Sequence, residues 1–211
     1  MASLIWVALN SREFGAQREI VDRLLELEAL ADARARTGAL RVDGKYSNKP
    51  DYWNRLMQAT NGRLIIMGRA LQSWLKPEYE EHFKAAIERV ARNGGDVCFL
   101  LLAPNGAAQK HIKAIGGRDH ASKKHRTAQT LSNFRDSLPV RIRSNVELRY
   151  LPDDLEPYYM AIITDAGLDF TPYLHTEDSK DVVHLSFDHG SPFARSVVTD
   201  IASLRENSKK L

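Results

Sequence analysis

Hydrophobic positions along the chain recur with two different periods, and the changes between them mark out the elements. Ser3 to Leu9 has the β-branched and aromatic content of a short buried strand. Ala16 to Arg36 repeats apolar residues at helical spacing. Ile20, Leu24, Leu27 and Ala31 share one face, Val21, Leu25 and Leu30 widen it, and Arg18, Asp22, Glu26 and Arg34 look away. This predicts an amphipathic helix ending near Gly38. Val42 to Asp51 is crowded with turn formers and predicts a loop. Asp51 to Thr60 predicts a short helix packing through Tyr52, Trp53 and Met57.

From Arg63 the period alternates between strand and helix. Leu64 to Met67 and Val97 to Leu102 are unbroken apolar runs, as expected of strands buried on both faces. Between them, Lys76 to Asn93 places Tyr79, Phe83, Ile87 and Val90 on one helical face, and Asn93, Gly94 and Gly95 end it. Strand, helix and strand in this order predict a right-handed parallel crossover. Helices are expected at Gln109 to Ile115 and Ser122 to Leu138, and a third strand at Val146 to Leu151. Tyr158 to Thr164 and Leu168 to Tyr173 predict a hairpin turning at Asp165, Ala166 and Gly167. Val182 to Phe187 gives a last strand, Pro192 to Arg205 a closing helix, and the remainder a short polar tail. The fold class is therefore α/β, with an N-terminal strand-helix extension over residues 1–60 and one domain over residues 61–211.

With 211 residues, 43% of them apolar, the chain can bury one sizeable core. No apolar stretch approaches the roughly 20 residues a membrane-spanning helix needs. Met1 to Leu9 has no basic leader, so a cytoplasmic location is expected. The single Cys98, inside an apolar run, reads as a packing residue. A net charge of +3 is too mild by itself to indicate nucleic acid. Its distribution is more telling: Lys110 to Arg143 holds nine basic residues against two acids, Asp119 and Asp136, together with His111, His120 and His125. Lys110, Lys113, Lys123, Lys124 and Arg126 are the candidates for contact with a phosphate backbone. A solvated helix face, or one docking an acidic partner, are the alternatives, since Phe134 is the segment's only ring.

Ligands of open parallel sheets collect at the carboxyl ends of strands. Arg69 and Asn105, which follow the first two buried runs, are therefore candidate phosphate contacts. His184 lies within an apolar strand, and His189, Asp178 and Asp181 lie nearby. No pair of histidines has tight ligand spacing, so neither a metal nor another cofactor is expected.

The order of elements, together with Leu64 to Leu71 (LIIMGRAL), Gly94 to Pro104 (GGDVCFLLLAP), Val146 to Leu151 and Tyr158 to Tyr173 (YYMAIITDAGLDFTPY), resembles one unit of the phospholipase D-like superfamily. The resemblance implies a mixed sheet flanked by helices. Catalytic members begin the last stretch with a histidine, carry a lysine two residues on and an aspartate five further. Tyr158, Met160 and Asp165 stand at those spacings, and only the aspartate matches. Neither replacement can form a phosphohistidine or offer an ammonium to a phosphoryl oxygen, and losing such a group costs roughly 10³ to 10⁶ in rate. His111 and Lys113 have the spacing of the missing pair, but in a polar helical context.

The resemblance implies a bacterial, catalytically degenerate protein binding a phosphate-containing ligand, nucleotide or nucleic acid, in a sensor or regulatory role. Tyr158 and His175, at the edge of the implied cleft, join Arg69 and Asn105 as ligand contacts, and a homodimer would complete the site. Two alternatives stay open. One is an active phosphodiesterase or nuclease rebuilt around the candidate catalytic residues His175 and His184. The other is an interaction module docking a partner protein through the helix Ala16 to Arg36.

Overall fold

The computed structural model describes residues 31–32, 34–43, 50–114, 121–173 and 183–211. Among them eight strands form one sheet: β1 (Ala39–Asp43), β2 (Arg63–Gly68), β3 (Asp96–Leu101), β4 (Val146–Tyr150), β5 (Tyr159–Thr164), β6 (Gly167–Pro172), β7 (His184–Phe187) and β8 (Lys209–Lys210). Their order across the sheet is β1-β7-β6-β5-β2-β3-β4-β8. The apolar runs take the centre, where β2 pairs in parallel with β3 and β3 with β4. β5 joins β2 antiparallel, with Ile65 opposite Ile163, and the predicted hairpin continues as β6.

The helices are α1 (Pro50–Ala59), α2 (Pro77–Arg92), α3 (Ala107–Ala114), α4 (Ala121–Ser137), the short α5 (Val140–Arg143) and α6 (Pro192–Glu206). The pleat sends alternate residues of each strand into different layers. Leu64, Ile66, Val97, Phe99, Leu148 and Ile162 meet Trp53, Leu56 and Met57 of α1, Phe83, Ile87 and Val90 of α2, and Ala128 and Leu131 of α4. Ile65, Met67, Cys98, Leu100, Ala161 and Ile163 turn the other way, onto Ala194, Val197 and Ile201 of α6. The result is the mixed sheet between helices that the resemblance implied. Burial pushes the Cys98 thiol up to about 12, so it packs as a neutral apolar group.

The chain marks the helix ends chemically. Ser191 caps α6 by accepting a hydrogen bond from the Ala194 amide at 3.1 Å, and Pro192 follows at the first helical position. Gly94, at φ +74°, ends α2, and the Gly95 amide donates to the Val90 carbonyl at 2.9 Å. A β-carbon on Gly95 would come within 2.3 Å of the Gly62 carbonyl oxygen, so the exit of α2 rests on the chain entering β2.

One expectation is corrected. The loop does not begin at Val42: Ala39–Asp43 is β1, paired antiparallel with β7 and shifted in register between Ala39 and Arg41. The polar tail holds an element that the sequence pattern did not signal. Lys209–Lys210 adds β8 to β4, and the Leu211 amide donates to the Leu148 carbonyl at 2.9 Å. Ser3 to Leu9 and most of Ala16 to Arg36 lie outside the described residues. The described part of that helix, residues 31–32 and 34–36, is helical.

Candidate functional site

Because β2, β3 and β4 are parallel, the segments that follow them, starting at Arg69, Leu102 and Leu151, share one end of the sheet. Antiparallel β5 begins at that end with Tyr158 just before it, and β6 ends there with Tyr173 just after. The Tyr173 amide donates to the Tyr158 carbonyl at 2.7 Å, which holds the two tyrosines side by side.

Arg69 leaves β2 immediately before a sharp turn. Leu71 sits in the left-handed region at φ 51°, and a 3-10 helix, Gln72–Leu75, follows. For a residue with a β-carbon that conformation costs about 1–3 kcal/mol, and such strain is often held where a side chain must be aimed. The Arg69 amide donates to the Tyr173 hydroxyl at 3.0 Å, and its guanidinium lies 4.4 Å from the Tyr173 ring centre. Its Nη2 donates to Glu156 Oε1 at 2.5 Å, with the two side chains 15% and 8% exposed. Among the described residues, the buried Nε–H of Arg69 has no hydrogen-bond partner. Burial holds the Tyr173 phenol above its ordinary range despite the neighbouring Arg69 charge, so it remains a neutral hydroxyl.

Tyr158 and Met160, which stand at the spacing discussed above, differ in exposure. Tyr158 is 69% exposed, whereas Met160 is buried at 6%. Met160 packs with Leu71 and Tyr173 over Gly68. A β-carbon at Gly68 would meet Leu71 Cδ2 at 2.7 Å, the Tyr173 hydroxyl at 2.9 Å and Met160 Cγ at 3.3 Å. Apolar and phenolic groups therefore fill the space over Gly68. Asp165, the one matching residue, lies in the hairpin turn five residues beyond Met160, roughly 17 Å along the strand at about 3.4 Å per residue. There its Oδ2 accepts the Asn61 and Gly62 amides at 2.6 and 2.7 Å, pinning the start of β2 to the hairpin.

His184 lies at the same end of the sheet, bonded to Thr171, which pairs with Met160, but it is buried. It is 2% exposed under α1, with Nε2 3.0 Å from Asp169 Oδ1, Nδ1 2.9 Å from Thr171 Oγ1, and the Trp53 ring edge-on at 4.9 Å between centres. Asp169 Oδ1 also accepts from Ser186 Oγ at 2.6 Å and from the Tyr52 hydroxyl at 2.7 Å. Burial first, and then the Asp169 charge, raise the Tyr52 phenol well above its ordinary value. His175 lies outside the described residues.

Asn105 is exposed on another part of the same sheet end, lining a groove of about 420 Å³ with Pro104, Tyr150, Pro152, Asp153 and Lys209. Of the basic candidates, Lys110 and Lys113 are exposed on α3, and Lys123 and Arg126 on α4. Lys124 corrects the expectation: it is 1% exposed, and its ammonium donates to the buried Gln109 rather than facing solvent. α4 packs beside the 3-10 helix that follows Arg69, which brings the basic segment next to the rim. His111 and Lys113 are exposed on α3, so they do not reproduce the strand context of the catalytic pair.

Sequence reasoning missed Glu156, Tyr173, Asp169 and Tyr52. One available signal was that Asp169 and Thr171 alternate with Leu168 and Phe170 just as His184 and Ser186 alternate with Leu185 and Phe187. Two adjacent strands thereby place a polar set on one face.

No family model matches the sequence, and no curated protein matches it. Among solved structures the chain is similar to Nuc, a phospholipase D family member from Salmonella typhimurium. The identity is 13%, over 81% of this chain and 97% of that one, with a TM-score of 0.49. It is similar to NucT from Helicobacter pylori at 10% identity, over 81% and 98% of the two chains, with a TM-score of 0.49. It is also similar to TrmBL2, an archaeal chromatin protein described as showing a novel mode of DNA binding. There the identity is 14%, over 98% and 67% of the chains, with a TM-score of 0.48.

Proposed function

We propose that this chain is a catalytically degenerate phospholipase D-like protein that binds a phosphate-containing ligand, nucleotide or nucleic acid, at the rim around Arg69 and Tyr158. One observation carries the reading. At the start of the hairpin, among the described residues, the rim offers a guanidinium with an unused Nε–H and an exposed phenol, while Met160 lies buried where an ammonium would be needed. Arg69 supports binding because a guanidinium presents paired donors matched to phosphate oxygens. The basic face of Lys110, Lys113, Lys123 and Arg126 extends the positive charge along α3 and α4. In this reading His175, two residues beyond Tyr173 in the sequence, is a further ligand contact, and Asn105 would contact a ligand long enough to cross the end of β3. In this reading the protein is a cytosolic sensor or regulatory subunit, and a second copy completes the cleft.

The test pairs binding with turnover. Anisotropy of a short fluorescent single-stranded oligonucleotide, and calorimetry with ATP, should detect binding that weakens as salt rises. Bis(p-nitrophenyl) phosphate should give no hydrolysis above the blank. Arg69→Gln should weaken binding by about tenfold or more, the range for a charge-assisted contact. Hydrolysis that scales with protein through repurification would overturn the degenerate reading. Absence of binding to both ligands at low salt would overturn the binding reading.

A further inference from the structure

The loops that follow β3 and β4 leave the sheet side by side, and the Leu151 amide donates to the Leu101 carbonyl at 2.8 Å where they part from it. Further out, the Ala108 amide donates to the Asp153 carbonyl at 2.9 Å, and a β-carbon on Gly106 would stand 2.6 Å from that oxygen. Backbone contacts thus lace the two loops together, and the side chains along them are left uncommitted. Between the loops lies the groove of about 420 Å³, within the roughly 300–1,000 Å³ of small-ligand sites. Tyr150, the half-buried last residue of β4, lines it and pairs with Lys209 of β8, which sets the two side chains next to each other on one face of the sheet. Pro104 and Pro152 contribute apolar wall, and Asn105 a side-chain amide. Among the described residues, the Tyr150 hydroxyl, the Asn105 amide, the Asp153 carboxylate and the Lys209 ammonium have no hydrogen-bond or ion-pair partner.

Asp153 and Lys209 are the charged residues of this lining, and their formal charges cancel. A bare anion drawn to Lys209 would also meet the Asp153 carboxylate, so charge selects no phosphate here. What the groove offers is an aromatic side chain, apolar walls, and donors and acceptors together. That combination complements a flat, uncharged ring with hydrogen-bonding atoms along its edge. We propose that the groove is a nucleobase site, in which the base stacks on Tyr150 and its edge is read by the Asn105 amide. Every base has a face to stack, and an asparagine amide, with one donor beside one acceptor, pairs best with adenine. A nucleoside and an unpaired base of a strand present the same ring. A base inside a duplex does not, because its faces and its Watson–Crick edge are already occupied. The site needs no phosphate, so it stands or falls independently of the rim around Arg69.

The experiment uses the full chain, with adenosine, guanosine, cytidine and uridine as probes in saturation-transfer NMR and calorimetry, and ribose 5-phosphate as a ligand with a phosphate and no base. At least one nucleoside, adenosine first, should bind with a Kd of about 1 mM or tighter, and ribose 5-phosphate should not. Added salt should change nucleoside affinity by less than about twofold, because no phosphate is neutralised. Tyr150→Leu should weaken binding by about tenfold or more, whereas Tyr150→Phe, which keeps the ring, should stay within about threefold of wild type. Asn105→Ala should flatten the preference among the four bases, a readout that a merely structural role would not move. Thermal unfolding of each variant separates a lost fold from a lost site. A single-stranded oligonucleotide that displaces the nucleoside identifies a strand as the source of the base, and one that does not identifies the free nucleoside; either result keeps the site. The proposal is overturned if no nucleoside binds, if ribose 5-phosphate binds as tightly as a nucleoside, if a duplex displaces the nucleoside as well as a single strand does, or if Tyr150→Leu leaves affinity unchanged in folded protein. An unchanged base preference in Asn105→Ala would overturn the edge contact.

Discussion

Replacing Asp169 with alanine should be among the most damaging single changes in this protein. Asp169 is 3% exposed, and one of its oxygens accepts from Tyr52 at 2.7 Å, Ser186 at 2.6 Å and His184 at 3.0 Å. Removing it strands three donors under α1. Each buried orphan costs about 1–3 kcal/mol, but the losses do not simply add. Tyr52 and Ser186 stand 3.3 Å apart and can bond to each other, and His184 keeps Thr171 at 2.9 Å. The net expectation is about 3–5 kcal/mol, the range for breaking a buried polar pair by deleting one partner. Against a total stability of about 5–15 kcal/mol, and about 2–4 °C per kcal/mol for a chain of this size, the unfolding temperature should fall by roughly 10 °C. Tyr52→Phe removes a single donor and leaves the carboxylate with two, so it should cost only about 1 kcal/mol. Urea unfolding followed by tryptophan fluorescence is well placed, since Trp53 lies against His184 and Trp74 lies 5.5 Å from Trp53. In the Asp169→Ala background the effect of Tyr52→Phe should shrink, because the shared acceptor is gone. A cost under about 1 kcal/mol for Asp169→Ala, or an equal cost of Tyr52→Phe in both backgrounds, would refute the network as the anchor of α1.

Asp165→Ala should destabilise the fold by about 1–3 kcal/mol through loss of its two amide acceptor bonds, and should leave ligand affinity at Arg69 unchanged; lost binding in folded protein would contradict its purely structural place. Acid should loosen the edge of the sheet near β4. Burial on its own would raise the Glu147 carboxyl, but hydrogen bonds from Arg149 and Arg205 outweigh it and hold the group at about 2 instead of 4.5. A depressed folded value means that this stabilisation is fully present above pH 4.5 and is lost as the pH falls toward 2. Glu147→Gln should therefore flatten the stability profile across that window, and an unaltered slope would count against the assignment.

How legible this molecule is in its sequence depends on what each element gains from its neighbours. β2 and β3 declare themselves because residues buried on both faces must be apolar at every position, as Leu64 to Met67 and Val97 to Leu101 are. β1 and β8 carry no such signal. Ala39–Asp43 and Lys209–Lys210 are strands because β7 and β4 offer them backbone partners, and pairing of that kind leaves the side chains unconstrained. The site divides along the same line. Arg69 could be found from position alone, since it follows a buried run at the end where parallel strands deliver their loops. Glu156 and Tyr173 could not, because they reach Arg69 from loops after β4 and β6, 87 and 104 residues further along, and only the sheet order brings them there. Asp169 shows the opposite hazard. Its alternation with Leu168 and Phe170 has the form of a solvent-facing carboxylate on a half-buried strand, yet α1 covers that face. What makes the covering tolerable is that Tyr52, Ser186 and His184 bring donors to meet it. A polar stripe shared by two adjacent strands therefore signals either water or a polar layer, and the tyrosine next to Trp53 on the covering helix decides between them.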